Sequence, residues 1–91
     1  MISTDALPGG DLIEAGLADL ARGRESVAAL LVSIGAPRLR RIGVPVPRPV
    51  PGPERRLYDL LYREDPDAAH GRYNGWIRRL VSFERAAECA R

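Results

Sequence analysis

The sequence predicts an all-α fold: a small four-helix or five-helix domain, orthogonal or bundle-like, in which two helical hairpins are joined by a proline-rich strap. Apolar residues recur every three or four positions, as on one face of a helix, and no proline-free segment alternates like a strand. Proline occupies every second position from Pro45 to Pro53. Because proline lacks the backbone N–H and clashes with helical neighbours, neither a helix nor an inner strand can cross residues 43–53.

The strap is long enough to return the chain across the domain. Ten extended residues at about 3.1 Å each span roughly 30 Å, which is the length of a helix. Its prolines lie two apart, whereas ligands of SH3 domains need prolines three apart, so a stiff spacer is the better interpretation. Residues 1–10 end in Leu-Pro-Gly-Gly and are expected to be a flexible lead-in, and residues 11–91 a single domain.

The first hairpin is expected before the strap. Asp11 lies three residues before Glu14, which resembles a capping box, and Gly23 is a typical helix stop, so the first helix should cover about 11–22. The second helix begins near Val27 and carries an apolar face to Ile34. Pro37 either ends this helix or opens a short extra helix. Leu39 and Ile42 would be the buried side of that extra helix, and Arg38, Arg40 and Arg41 would face water.

The second hairpin is expected after the strap, with Pro53 at the start of its first helix. Asp65 and Pro66 predict the cap and first position of a long last helix, which we expect to be the central packing element. Asn74-Gly75 could break that helix, but the apolar period continues through it in phase, which favours a continuous helix. Gly71 and Gly75 would then form a helix–helix contact face. Four residues are expected in the core: Leu31, Leu57, Trp76 and Leu80.

Composition indicates an ordinary soluble globular chain, with 45% hydrophobic and 29% charged residues. A domain of 91 residues has a modest core, so a homodimer or a protein partner is a reasonable expectation. Cys89 is the single cysteine, which excludes an internal disulfide and fits a reducing cytoplasm. The nearly apolar run of residues 27–36 is about half of what a membrane span needs, and no signal peptide or myristoylation motif is evident.

All 14 basic residues are arginine. Either a GC-rich genome of bacterial type or selection for bidentate recognition of carboxylate and phosphate would produce this usage. Residues 38–63 hold seven arginines and two acidic residues, whereas residues 1–37 hold five acidic residues and two arginines. The candidate binding residues are therefore the arginines of the basic middle: Arg38, Arg40, Arg41, Arg48, Arg55 and Arg56. They could be a solvated surface, bind an acidic protein face including that of a second copy, or bind nucleic acid, although no aromatic residue interleaves them.

Nothing in the chain predicts catalysis, a metal or a cofactor. His70 and Cys89 are nineteen positions apart on one expected helix, or roughly 28 Å, too far for a nucleophile pair. The acidic group Glu64, Asp65 and Asp67 is explained by helix capping and the helix dipole. Zinc-ligand spacing, an EF-hand loop and a phosphate-binding loop are all missing from the sequence.

The sequence therefore favours a non-enzymatic helical interaction module, a regulatory or accessory protein that binds a partner protein or itself. An arginine-rich nucleic-acid-binding module is the alternative. A third hypothesis is an accessory subunit that contributes His70 or the acidic group to a composite enzyme. Neither a membrane nor a small-molecule substrate is expected.

Overall fold

Helices make up most of the described chain; the computed structural model describes residues 7–90. In chain order they are α1 (Gly10–Ala21), α2 (Val27–Ile34), α3 (Ala36–Arg41), α4 (Pro53–Glu64) and α5 (Ala69–Ala90). No strand occurs among the described residues. The all-α prediction is thus confirmed, and the short extra helix at Pro37 is present as α3. The expected flexible lead-in lies largely outside the described residues, since they begin at Leu7.

Proline and glycine set several helix ends as predicted. Pro37 and Pro53 lie in the first turns of α3 and α4, where a missing N–H costs nothing. Gly23 follows the end of α1 with a φ of 72°, a left-handed conformation that favours glycine. Ser26 caps α2 by accepting a hydrogen bond from the backbone N–H of Ala29 at 3.1 Å, a cap that the sequence analysis did not identify.

The predicted capping box at Asp11 and Glu14 is wrong. The N-cap of α1 is Gly9 in the left-handed conformation, and no side chain accepts a hydrogen bond there. Asp11 lies inside the first turn of α1, where its negative charge still favours the helix dipole. The left-handed Gly9 begins the helix two residues earlier than a capping aspartate would.

Asp65 caps a turn rather than the last helix itself. It ends α4, and its Oδ1 accepts hydrogen bonds from the backbone N–H groups of Asp67 at 3.2 Å and Ala68 at 3.4 Å. The helix α5 begins only at Ala69, so Pro66 lies in the preceding turn and not at the first helical position. Asp65 therefore accepts backbone hydrogen bonds as a capping residue does, but it does so in the turn before α5 and not at the N-terminus of that helix.

The central packing element is α2 and not, as expected, the long last helix. Residues Ala29 to Ser33 are all buried, and α2 packs against each of the four other helices. A helix that is apolar around its whole circumference is stable only when neighbours cover it on every side. The two predicted hairpins, α1–α2 and α4–α5, meet where α2 packs against α4 and α5.

Three of the four predicted core residues are buried: Leu31, Leu57 and Leu80. Trp76 is only partly buried, so its assignment to the core is wrong. The large aromatic side chain in the interior is Phe83, which is fully buried. Both residues belong to α5. The neighbouring helices cover Phe83 completely and leave Trp76 partly open to solvent.

The strap alternates between the core and solvent. Val44 and Val46 are buried, whereas Pro45 and Pro47 are exposed. The Arg40 guanidinium donates to the carbonyl oxygen of Val46 from Nη2 at 2.6 Å and from Nε at 3.2 Å. The backbone of the strap is thus held by a side-chain hydrogen bond and does not pair as a strand, as the prolines require.

The helix α5 is continuous through Asn74-Gly75, as the sequence favoured. A Cβ atom built on Gly71 or Gly75 meets no atom of a neighbouring helix within 4 Å, so the space that each missing side chain would occupy is open. Among residues 7–90, no helix packs closely on the predicted helix–helix contact face, and its use by another chain stays a prediction. Among residues 7–90, no helix combines the length and the apolar character that a membrane span requires.

Candidate functional site

An open groove runs beside Trp76, where the end of α4 and the start of α2 face α5. Its cavity volume is about 550 Å³. We call it the Trp76 groove and define it by its lining residues: Val27, Leu61, Glu64, Arg72, Gly75, Trp76 and Arg79. Its apolar residues come from three helices, so the groove exists only in the folded chain.

The polar residues of the Trp76 groove are mostly cationic. The Arg79 guanidinium lies 4.9 Å from the centroid of the Trp76 ring, which is cation–π contact distance. Arg72 lies two helical turns earlier on the same side of α5, and its Nη2 is 3.9 Å from Oδ2 of the partly exposed Asp65. Glu64 is the single acidic lining residue. A partly buried tryptophan flanked by two arginines combines the residue types that dominate binding energy in protein interfaces.

Two of the predicted binding arginines hold the fold together. Arg38 lies between α3 and α5, where its Nη1 is 3.4 Å from Glu84 Oε1 and its Nε donates to Glu88. Arg40 fixes the strap through the carbonyl oxygen of Val46. Their guanidinium groups already have partners within the chain, which leaves less of their hydrogen-bonding capacity for a ligand. Arg41, also on α3, is exposed.

The structure brings Arg55 and Arg56 together beside an exposed aromatic side chain. They line a depression on α4 with Arg63 and with Tyr62, which is 52% exposed. The sequence analysis found no aromatic residue among the candidate arginines, and here the fold supplies one. The depression also contains two acidic side chains, Glu25 and Asp59; Glu25 binds Arg56 at 2.7 Å, and Asp59 is 3.9 Å from Arg55.

Arg48 lies apart from that depression. It lines a smaller hollow with residues of the α1–α2 connection, including Arg24. Its φ of 54° places a non-glycine residue in the left-handed region, which costs roughly 1–2 kcal/mol. The strap makes this turn before Val50, whose backbone N–H donates to Ser33 Oγ at 2.9 Å.

Glu84 is a buried carboxyl on the face of α5 that packs against α3. Its residue exposure is 3%, and Oε2 lies 3.0 Å from the position that a Cβ atom of Gly35 would occupy. Burial raises the pKa of Glu84 above its ordinary value, the charge of Arg38 opposes that rise, and the charge of Glu88 adds to it. The sequence marked Glu84 as the break in the apolar face of the last helix, but its partner on α3, 46 residues away, became visible only in the fold.

The residues weighed for catalysis do not assemble into a site. His70 is exposed at the start of α5, with Nε2 at 3.3 Å from Asn74 Nδ2, and Cys89 is exposed near its other end. Asp65 is engaged in its turn with Asp67. Within residues 7–90, no group of three or more histidine, cysteine or acidic side chains is arranged to hold a metal ion.

No protein-family model, curated protein or solved structure matches the chain.

The Trp76 groove was not predicted from the sequence, because Trp76 was expected in the core. The signal was present in the spacing of Arg72 and Arg79, which lie seven residues apart and frame the single tryptophan of the chain. On a continuous helix, residues seven apart share one face. Tyr62 was missed for a different reason, since its proximity to Arg55 and Arg56 requires two turns of α4 to be formed.

Proposed function

We propose that this chain is a non-enzymatic interaction module that binds a partner protein through the Trp76 groove. The observation that carries the proposal is a partly buried tryptophan in an open groove, with an arginine over its ring and a second arginine two turns away. Tryptophan supplies a large rigid contact area at a low cost in conformational entropy, and both tryptophan and arginine are enriched at interface hot spots. The single exposed cysteine fits a reducing compartment such as the cytoplasm. A regulatory or accessory protein of bacterial type fits this size and composition.

The test is to fill the groove without disturbing the fold. Gly75→Gln places a neutral side chain at an open position in the groove, where a Cβ atom meets nothing within 4 Å. The matched control is Gly71→Gln, one turn earlier on α5, which makes the same change outside the groove. Partners are captured from an extract of the cell that encodes the protein, and light scattering of the purified protein measures self-association.

We expect Gly75→Gln to lose the partner that the wild-type protein retains, and Gly71→Gln to keep it. Loss in both variants would instead indicate that a partner helix packs along the two glycines. A single 10 kDa species that retains no protein would contradict the proposal.

A second candidate function, binding of single-stranded nucleic acid, is supported by Tyr62 beside Arg55, Arg56 and Arg63. An exposed ring offers a stacking platform and the arginines offer phosphate contacts. The two acidic side chains in the same depression, Glu25 and Asp59, weaken its positive electrostatic potential, which makes it a weaker site for phosphates.

Nucleic-acid binding is tested by the anisotropy of a labelled single-stranded oligonucleotide at low salt. Binding should weaken steeply as salt rises, and Arg63→Ala and Tyr62→Ala should each reduce it. Arg40→Ala is a poor probe because that arginine also fixes the strap. An oligonucleotide that stays unbound at low salt would exclude this function.

A further inference from the structure

We propose that the Trp76 groove takes an amphipathic helix of the partner whose acidic side chains, seven residues apart, pair with Arg72 and Arg79. The inference depends on the proposed function and specifies the chemistry of the partner at the same site.

The two arginines form a pair of cationic points at a defined separation. They lie seven positions apart on α5, so at 1.5 Å per residue they are about 10 Å apart along the helix axis and share one face. Carboxylates at positions i and i+7 of a partner helix have the same separation. A partner helix lying along α5 can therefore meet both arginines at once.

Each guanidinium is available for such a pair. Among the described residues, Arg79 forms no ion pair with a carboxylate, and its contact with the Trp76 ring orients the planar group. A stacked guanidinium keeps its N–H edge free for a bidentate carboxylate. Arg72 has one ion pair, with the partly exposed Asp65 at 3.9 Å, and such a solvent-accessible pair contributes little and exchanges readily.

The surface between the arginines is suited to apolar side chains. Val27 and Leu61 line it from α2 and α4, and Gly75 leaves the centre open because it has no side chain. Leucine-sized residues at positions i+3 and i+4 of the partner helix would face this area. A partner strand is disfavoured because the described residues contain no sheet edge for it to extend.

Nucleic acid is the less favoured occupant of this groove. A closely spaced row of phosphates would lie against the negative charge of Glu64. The apolar residues of the lining cannot form hydrogen bonds with base edges. A protein helix can place carboxylates at the two arginines alone and leave the vicinity of Glu64 neutral. Two separated negative charges match the groove better than a continuous negative backbone.

The test uses three designed helical peptides of about 15 residues, free of tryptophan and tyrosine. The first carries Glu at i and i+7 with Leu at i+3 and i+4; the second replaces both Glu residues with Lys, and the third replaces both Leu residues with Ser. Anisotropy of labelled peptide gives the affinity. Emission of Trp76 reports the location, because it is the single tryptophan of the chain.

We expect the Glu/Leu peptide to shift Trp76 emission to shorter wavelength and to bind about tenfold more tightly than either other peptide, a difference of about 1.4 kcal/mol. Reversing the charge of both arginines gives the more stringent test. The double variant Arg72→Glu/Arg79→Glu should lose the Glu peptide and gain the Lys peptide. The control Arg85→Glu, an exposed residue of α5 outside the groove, should keep the original preference.

The remaining outcomes separate this inference from the proposed function. Equal binding of the Glu and Lys peptides, or no binding of either, overturns the inference. If a cellular partner is captured all the same and is lost in Gly75→Gln, the proposed function stands without it. A dimer whose dissociation changes Trp76 emission would assign the groove to a second copy and overturn the acidic-helix inference. An oligonucleotide that shifts Trp76 emission while the peptides do not would overturn both.

Discussion

At the scale of single residues, Gly16 allows α1 to lie directly against α2. A Cβ atom at this position would come within 2.4 Å of the Ala28 carbonyl oxygen and 2.8 Å of Val32 Cγ1. Because the oxygen belongs to the backbone, the helices must separate to admit a methyl group. We expect Gly16→Ala to lower the free energy of unfolding by about 1–3 kcal/mol, measured by urea denaturation.

The control for Gly16→Ala is Gly71→Ala, also within a helix but in open space. Alanine there removes the entropic penalty of glycine and meets no neighbour, so a gain of about 0.5–1 kcal/mol is expected. Destabilisation by both substitutions would mean that the contact at Gly16 is not the cause.

The buried carboxyl of Glu84 predicts a pH-dependent effect of Arg38. Burial raises the pKa of Glu84 in the folded chain, so its ionised form is disfavoured there and Arg38 offsets part of that penalty. Stability from a group with a raised folded pKa is present below its unfolded pKa and is lost as pH rises through the folded pKa. Arg38→Ala should therefore destabilise the protein most at neutral pH. The loss should shrink as pH falls through the acidic range in which Glu84 takes up its proton, and the raised pKa places that range above the ordinary one of a glutamate carboxyl.

Urea denaturation across that pH range measures this effect, and Glu88 must be considered because it also binds Arg38. The double variant Arg38→Ala/Glu84→Gln should lose most of the pH dependence, since the neutral amide cannot ionise. Arg55→Ala is the control, because its ion pair with Asp59 is exposed to solvent and its effect should be small at every pH. An equal loss for Arg38→Ala at both ends of the range would contradict the role assigned to Glu84.

The sequence predicted the burial of some single residues correctly and that of others not at all. The periodicity identified Leu57 and Leu80 as core because each lies in the middle of an apolar stripe. It could not rank Trp76 against Phe83, since both fall near the same broad face and only the position of the neighbouring helices decides which is covered. The close approach at Gly16 was equally hidden, because it depends on how α1 crosses α2.

At the scale of elements, Ser33 connects the strap to α2. Its hydroxyl donates to the Ala29 carbonyl oxygen at 2.8 Å and accepts from the backbone N–H of Val50 at 2.9 Å. Ser33→Ala leaves that N–H without its acceptor, so we expect a loss of about 1–2 kcal/mol and faster hydrogen exchange at Val50. Ser82→Ala, at an exposed serine of α5, should do neither. Unchanged protection at Val50 would show that the strap is held by other contacts.

Element boundaries were predictable where proline and glycine act locally. Pro37, Pro53 and Gly23 restrict their own backbone, so their effect on α3, α4 and α1 could be inferred without the fold. Caps were less predictable. Gly9 adopts a left-handed conformation beside Phe83 and the Arg79 carbonyl oxygen, and this contact depends on where α5 lies.

At the scale of the whole molecule, the two hairpins share one interior. The core cluster takes residues from all five helices and from the strap, including Ile13, Leu30, Val46, Leu57 and Phe83. The candidate site depends on the same arrangement, because Val27, Leu61 and Trp76 meet only when α2, α4 and α5 are packed. The sequence could predict two hairpins and a strap, but it could not predict that their junction leaves a groove.

A shared interior predicts that the chain unfolds in one cooperative step. Far-UV circular dichroism follows the helices of both hairpins, and Trp76 fluorescence follows the second hairpin, so the two urea transitions should coincide. Phe83→Ala sharpens the test, since Phe83 belongs to α5 and its Cβ lies 3.6 Å from the Cβ position of Gly9, at the start of α1. We expect it to cost about 3–5 kcal/mol and to move both transitions together. A helical signal that survives after Trp76 becomes solvated would mean that the first hairpin folds independently of the second.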